Sequence, residues 1–507
     1  MNQLKISGSL LAKNTVLNFI GQVIPLLVAV VTIPYVIRGL GVERFGILSL
    51  AWVVLGYFSL FDLGLGRATT KFVAEALGKN NAERIPAIVW TSLTFQFFLG
   101  VLGSIILAVA TPILVERVLN IPSALIEEAK NVFYILSLSI PIVMCSLSLR
   151  GVLEAGQRFN LVNAVKIPLN CLTFLLPIIG LFLGFQLPGI IVLLLIAWVC
   201  GLVTYLLLCL RIYPKIRQAF LIDTRFFRPL FSFGGWVTIC NILIPILVYL
   251  DRFLIGALLT IAAVGYYSVS YDMLSRLQVF PGSLAMTLFP AFSALDLEKD
   301  KLKRLYARSL KYLLLFMGPI VLVLVIFASD ILSLWLGRDW ASQTTLVFQI
   351  LAIGILINAL AQMPANLLDG IGRPDLRAKI FLSYILPYVV LLWFLIGKMG
   401  IVGAALAWML RACLELALFF GLSWKIMSLN WHIFVENGFL RSVMAYSGII
   451  GVGLILVSML DKFVLAKGII ILICLLLFSF YIWRYALQDG ERQFLSLGIK
   501  RLRGISS

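Results

Sequence analysis

Histidine is almost absent. One residue, His432, serves a chain of 507, so the side chain that most readily changes charge near neutral pH is missing from nearly the whole sequence. General acid–base chemistry has little to work with. Cysteine is no richer in signal. Cys145, Cys171, Cys200, Cys209, Cys240, Cys413 and Cys474 all fall inside apolar runs without pairing or metal spacing, and they read as buried thiols with no disulfide. No Walker phosphate loop occurs, nor G-x-S-x-G, H-E-x-x-H or a Cys/His cluster. An ATP engine and the familiar hydrolase sites are thereby excluded. Long hydrophilic loops are also lacking, the largest on the outer side being about residues 115–129, so an outer catalytic domain has no room. No enzyme activity, metal or cofactor is expected.

What is present in excess is apolar surface. The chain is 62% hydrophobic and only 13% charged, with a mean hydropathy of +1.05. A soluble protein could not hide that much, so lipid is the solvent for most of it. About fourteen runs reach the roughly 20 residues that span a bilayer. They lie near 12–37, 45–63, 86–114, 130–149, 161–183, 189–210, 229–256, 263–290, 310–329, 343–367, 380–397, 400–424, 440–460 and 465–483. After Lys5 and Lys13 the first run continues without an A-x-A site, so it reads as its own insertion signal rather than a cleaved leader.

The net charge of +18 follows the membrane. With the amino terminus assigned to the cytoplasm, most of the 41 Lys and Arg fall on the cytoplasmic side. That is the positive-inside pattern, with both termini inside and the chain in a cytoplasmic membrane. A nucleic-acid partner is not expected.

The sequence repeats itself. EAGQRFNL (154–161) and DGIGRPDL (369–376) pair Glu154 with Asp369, Arg158 with Arg373, Asn160 with Asp375 and Leu161 with Leu376, each 215 residues apart. FGILSLA from Phe45 aligns with VGYYSVS from Val264: Gly46 and Gly265, like Ser49 and Ser268, are 219 apart. Pro25 and Pro245 are 220 apart. A near-constant offset over several segments indicates duplication. The expected fold is an all-α integral membrane protein of two pseudo-symmetric six-helix lobes plus two C-terminal helices. The first lobe is 1–213, a basic cytoplasmic linker 214–228, the second lobe 229–427, and the last two spans and basic tail 428–507. Parallel repeats of this kind place a substrate between the lobes near the midplane. SLNWHIFVENG (428–438) is expected at the membrane interface, with His432 at headgroup level.

Charges inside the spans mark candidate sites, because an arginine at mid-bilayer costs about 2.5–3.5 kcal/mol even on lenient scales. Asp272 and Arg276 lie deepest, four residues apart on one helix face. They either neutralise each other as a local pair or line a wet cavity where Arg276 meets an anionic group, which the guanidinium fork suits. Pro281 is expected to break the ladder there and let the helix bend. Arg411 and Glu415 repeat the same spacing, and a structural pair is an equal alternative. Asp251 and Arg252 lie near the outer end of span 7. Arg252 is able to snorkel, whereas Asp251 is a candidate for carrying a proton or cation. In FDLGLGRATTKFVAE (61–75), Asp62 and Arg67 close span 2, either as a capped helix end or as site residues.

IPYVIRGLGVERFGILSLAW (33–52), FDLGLGRATTKFVAE, EAGQRFNL, YLDRFLIGALLTIAAVGYYSVSYDML (249–274), FPAFS (289–293) and DGIGRPDL together resemble the polysaccharide-transport, Wzx-type branch of the MOP flippase superfamily. That superfamily also contains MATE exporters and lipid II flippases. The resemblance covers spans 1–12. It implies a V-shaped two-lobe bundle that flips an undecaprenyl-diphosphate-linked oligosaccharide by alternating access. It also implies coupling to a proton or sodium gradient and work beside glycan polymerase or ligase partners. SRLQVFPG (275–282) is similar to the eighth-helix segment of lipid II flippases, whose arginine faces the cavity; that role carries over to Arg276. In those flippases an acidic residue directly precedes the arginine, where Ser275 stands here, and span 1 is uncharged until Arg38. Both departures favour another lipid-linked glycan over lipid II. The resemblance implies a substrate-binding role for Arg276; the placement of charge in and beside the spans adds Asp272, Arg67 and Arg411 as substrate-binding candidates and Asp251, Asp62 and Glu415 as ion-coupling candidates. The alternatives weighed are a MATE-like antiporter of small cationic drugs, which would want carboxylates rather than a central arginine, and a multispan glycan polymerase or ligase.

Overall fold

The structure is a computed structural model and describes residues 8–61, 65–78, 81–218, 235–294, 299–448 and 464–487. Regular structure among these residues is helical throughout. The main helices are α1 Gly8–Leu40, α2 Val42–Phe61, α3 Leu65–Gly78, α4 Ile85–Ile113, α5 Ile126–Ala155, α6 Phe159–Phe182 and α7 Leu187–Ile212. Then come α8 Gly235–Leu258, α9 Ile261–Ser275, α10 Val279–Ala294, α11 Lys299–Ile326, α12 Ala328–Leu336, α13 Arg338–Gly370, α14 Pro374–Met427, α15 Trp431–Glu436 and α16 Val464–Tyr481. Among the described residues, eight helices are long and apolar enough to cross a membrane. Large side chains such as Val109 (70% exposed) and Leu386 (74%) project outward from them. Helices satisfy their own backbone, so an apolar outer surface of this kind belongs in lipid. The chain is a multi-pass membrane protein.

Contacts divide the chain into two units, Met1–Val269 with Ile396–Gly400, and Ser270–Leu395 with Ile401–Ser507. A deeply buried helix runs through each. In the first it is α5, where Val132, Phe133, Leu136 and Ile140 are fully buried. In the second it is α13, where Val347, Phe348, Leu351 and Ile355 are fully buried. These four pairs are identical residues 215 apart, so the duplication reaches the core.

The turns repeat bond for bond. After α5, the backbone N–H groups of Gly156, Gln157, Arg158 and Leu161 donate to the carbonyls of Val152, Glu154, Leu153 and Arg158. After α13, Ile371, Gly372, Arg373 and Leu376 donate to Leu367, Asp369, Leu368 and Arg373. Every donor and acceptor is displaced by 215. Within each turn a carboxylate is held at the helix end, Glu154 by Arg150 (2.7 Å) and Asp369 by Arg377 (2.6 Å).

Long-range ties join helix ends that alternate crossing puts on one side. Arg44 Nε donates to Glu128 at 2.9 Å, and Asn120 Nδ2 donates to the carbonyls of Ala257 and Leu259. At the opposite ends Trp90 Nε1 donates to Ile216 O, and Lys215 approaches Glu83. In the second unit the C-terminal helices dock on α11 and α12. Tyr446 OH donates to Gly318 O (2.9 Å), and its ring fills a notch where a Cβ on Gly318 would lie 2.7 Å away. Lys467, only 3% exposed at its side chain, pairs with Asp330 at 3.3 Å, while Ile471 packs on Leu322 and Ile326.

Three expectations need correction. Residues 263–290 do not form one helix: α9 ends at Ser275, Arg276–Gln278 is a 3-10 turn, and α10 begins at Val279. Pro281 is the physical cause, since it has no N–H for the carbonyl four residues back, Leu277, and its ring crowds that oxygen. The break therefore precedes the proline. Secondly, no ion pair joins Asp272 to Arg276 among the described residues, Asp272 being half-buried and Arg276 exposed. Thirdly, Arg252 does not reach a surface, being 1% exposed. The spans expected at 380–397 and 400–424 are both inside α14, separated by a kink at Gly400 (φ 60, ψ −139), a backbone state that glycine adopts freely. Asp62, the linker from residue 219 and residues 449–463 lie outside the described residues, as do the side chains of Arg67 and Cys240. His432 has a 73% exposed side chain and faces Glu436 at 3.2 Å.

Candidate functional site

Apolar helices that nonetheless carry amides, tyrosines and charges inward do so at a cost, unless every group is answered. In the second unit the answered groups form a continuous chain. It starts at the 3-10 turn. Arg276 is exposed and Asp272 half-buried, while Gln278, two residues on, points into the helices. Gln278 accepts from Gln362 Nε2 and donates to Asn358 Oδ1 at 3.1 Å. Asn358 and Gln362 are four residues apart and so share a face of α13. Asn358 Nδ2 donates in turn to Glu415 Oε2 at 3.1 Å.

Glu415 ends the chain as a buried anion with both oxygens engaged. Its Oε1 accepts from Tyr384 OH and lies 3.5 Å from Arg411 Nη1. Arg411 is 5% exposed. Its guanidinium carbon sits 5.3 Å from the ring centroids of both Tyr388 and Trp408, and two aromatic faces offset part of a cation's desolvation. Trp408 is held edge-on by Tyr271 at 5.7 Å. It reaches this place because Gly354 of α13 has no side chain; a Cβ there would meet the indole at 2.9 Å. The expected i, i+4 pair in α14 is thus formed and buried, and it is wired through two amides to the turn that displays Arg276.

The first unit holds a separate buried carboxylate. Asp251 is fully buried, accepting from the Arg252 backbone N–H (2.8 Å) and from Tyr267 OH (2.5 Å). The Arg252 guanidinium lies over the Tyr249 ring at 5.6 Å. The helix bearing Arg67, α3, packs on α5: a Cβ on Gly151 would lie 2.8 Å from Gly66 O and 2.7 Å from Thr70 Oγ1. That close approach explains the glycine at 151 in α5 and assigns Arg67 no partner. Among the described residues no group of three His, Cys, Asp or Glu is arranged to hold a metal ion.

Sequence reasoning weighed only charges, and so missed Gln278, Asn358, Gln362, Tyr384 and Tyr388. The available signal was an Asn and a Gln at i, i+4 inside an apolar run, a pairing as costly to bury as a charge pair if left unanswered.

In the second unit Arg276 is exposed while Arg411 is buried beside Glu415. The sequence profile described as "Polysaccharide biosynthesis protein" matches residues 11–296. The chain belongs to this family. Among relatives of this chain, a protein from Shigella flexneri named "Putative O-antigen transporter" is 28% identical over 404 residues, covering 80% of this chain and 95% of that protein. Two solved structures share the fold. One is the lipid II flippase MurJ, with a TM-score of 0.70 and 13% identity over 93% of this chain and 99% of MurJ. The other is a multidrug resistance MATE family transporter of the MOP superfamily, with a TM-score of 0.70 and 16% identity over 80% and 94% of the two chains.

Proposed function

We propose that this polysaccharide-biosynthesis family member is a flippase for a lipid-linked glycan, not an enzyme. In this reading it moves an undecaprenyl-diphosphate-linked oligosaccharide from the inner to the outer leaflet of a bacterial cytoplasmic membrane. The family membership supports the class, and the names carried by the similar flippases and the O-antigen protein support the substrate. The observation that carries the reading within this chain is Arg276: an exposed guanidinium at a helix break, near the middle of the segment from Ile261 to Ala294. A cation at that depth is tolerated where it meets water or an anion rather than acyl chains. A diphosphate with a polar glycan has the converse problem and cannot cross about 30 Å of hydrocarbon alone. Each supplies what the other lacks.

The reading carries the finer architecture with it. About fourteen spans form two six-helix lobes, 1–213 and 229–427, joined by a basic linker at 214–228, with 428–507 as an appendage and both termini in the cytoplasm. The lobes alternate access, driven by a proton or sodium gradient, and hand the glycan to polymerase or ligase partners. Arg276, Asp272 and Arg67 are assigned to the substrate path. Arg411 is assigned to support of the Arg276 turn, because Glu415 and two rings already enclose it. Asp62, Asp251 and Glu415 remain the acidic candidates for coupling. In Asp251 and Glu415 both oxygens have donors, so cation entry would have to displace one.

Arg276→Ala should abolish surface glycan in a strain depending on this chain, at normal protein levels, with Arg276→Lys partly active. Full export by Arg276→Ala would remove that residue from the mechanism.

A further inference from the structure

We propose that Lys166 and Arg150 form a second anion site, in the first unit, that takes the phosphate of a membrane lipid. The choice of ligand rests on the flippase reading above; the site itself rests on placement and charge.

Arg150 stands five residues before the end of α5, and Lys166 seven residues after the start of α6. At about 1.5 Å per residue both lie within roughly 10 Å of the turn that joins these helices. Arg150 Nε holds Glu154 at 2.7 Å, and both side chains are partly exposed (35% and 26%). Lys166 is half-buried and lies in the field of both. Its ammonium makes no hydrogen bond or ion pair with the described residues. Two cations therefore face one carboxylate. Tyr205 is buried, lies in the field of Arg150 and Glu154, and donates to Val162 O at 3.3 Å. The helix that carries Arg67 packs alongside at Gly151.

The duplication is an internal control for what the fold requires. The turn and its acidic residue recur, Glu154 as Asp369, but the partners of the two cations do not. The position 215 after Arg150 is Ala365, and that after Lys166 is Phe381, both buried and apolar. The second unit builds the same helix pair with no charge at either place. A half-buried ammonium that the fold does not need, and that shares its one nearby carboxylate with Arg150, carries a desolvation cost which a ligand anion would relieve. Lysine binds phosphate as a point charge, and a tail attached to that phosphate would remain in lipid.

The test uses the purified full chain in nanodiscs of phosphatidylcholine. Three probes are titrated: farnesyl diphosphate, phosphatidylglycerol and inorganic diphosphate. Wild type should bind at least one of the two lipids more tightly than the tail-less ion. Lys166→Met should weaken that binding tenfold or more, and Lys166→Arg, which keeps the charge, should stay within about threefold. The lipid whose binding depends on Lys166 identifies the source of the phosphate, whether substrate-like carrier or bulk anionic headgroup. Wild-type affinity of Lys166→Met for both lipids would overturn the site, as would a wild type that prefers inorganic diphosphate to either. The two readings fail separately. Unchanged binding in Lys166→Met alongside lost export in Arg276→Ala sinks only this site; lost binding in a protein whose deletion leaves glycan export normal sinks only the flippase reading.

Discussion

Gly46 and Gly265, 219 residues apart in sequence, face each other where α2 crosses α9. A Cβ on Gly46 would lie 2.0 Å from Ile261 O, and one on Gly265 would lie 3.2 Å from Val42 O. Ile261 also follows Val42 by 219, so each helix offers the other the same glycine and the same carbonyl. A duplicated chain thereby makes an isologous contact with itself, of the kind two-fold dimers make, through small residues as membrane helices do. Gly46→Ala must push the helices apart, and overpacking of this kind costs about 1–3 kcal/mol. Gly265→Ala needs a shift of only a few tenths of an ångström and should cost less. Thermal unfolding in detergent should show the larger fall in Tm for Gly46→Ala; equal falls would mean the crossing is not tight.

The paired turns after α5 and α13 give a prediction of opposite sign at two aligned positions. Gln157 has φ 56 and Gly372 has φ 76. The left-handed state costs a residue with a Cβ about 1–2 kcal/mol and glycine little. Gln157→Gly should therefore raise stability by up to roughly 1 kcal/mol, after the entropy glycine adds to the unfolded chain. Gly372→Gln should lower it by a similar amount. A melt of both variants in one detergent checks the pair, and two shifts of the same sign would refute the shared turn geometry.

The sequence carried the membrane class, the alternating spans and the repeat, because these depend on runs of twenty residues and on offsets, which composition preserves. It also carried Arg411 and Glu415 as a pair, since i, i+4 on a helix fixes proximity. It did not carry the break at Arg276. A proline acts on the carbonyl four residues earlier, so the broken ladder expected from Pro281 falls at Arg276–Gln278. Nor did it carry Asn358 and Tyr384 as partners of Glu415, or Gln278 as a partner of Asn358, because those contacts join segments far apart in sequence. The Val132–Ile140 and Val347–Ile355 matches were legible at the same offset as the turns, but apolar identities in an apolar chain stand out only once burial is known.

Arg411 and Glu415 form a buried pair, and the cost of breaking one exceeds the gain from making it. Glu415→Leu should destabilise the chain by about 3–5 kcal/mol by leaving the guanidinium unanswered. Arg411→Met with Glu415→Leu should recover much of that loss, because neither charge then remains. A double-mutant cycle on thermal unfolding measures the coupling; additive losses would show that the two side chains do not depend on each other.

Gln278 tests whether the network positions the Arg276 turn. Three of its features bear on this: it lies in the 3-10 turn itself, it accepts from Gln362, and it donates to Asn358, which bonds Glu415. Gln278→Leu keeps the volume and removes both bonds. At about 1 kcal/mol for each bond, the turn loses roughly 2 kcal/mol of restraint, a factor of about 30 in its population. Glycan export should fall by a comparable factor with Arg276 intact and protein levels normal. Asn358→Leu leaves the Gln362 bond in place and should fall less. The two variants order the network: if Gln278→Leu exports as wild type does, the amides serve packing alone, and Arg276 is held by its backbone rather than by Glu415.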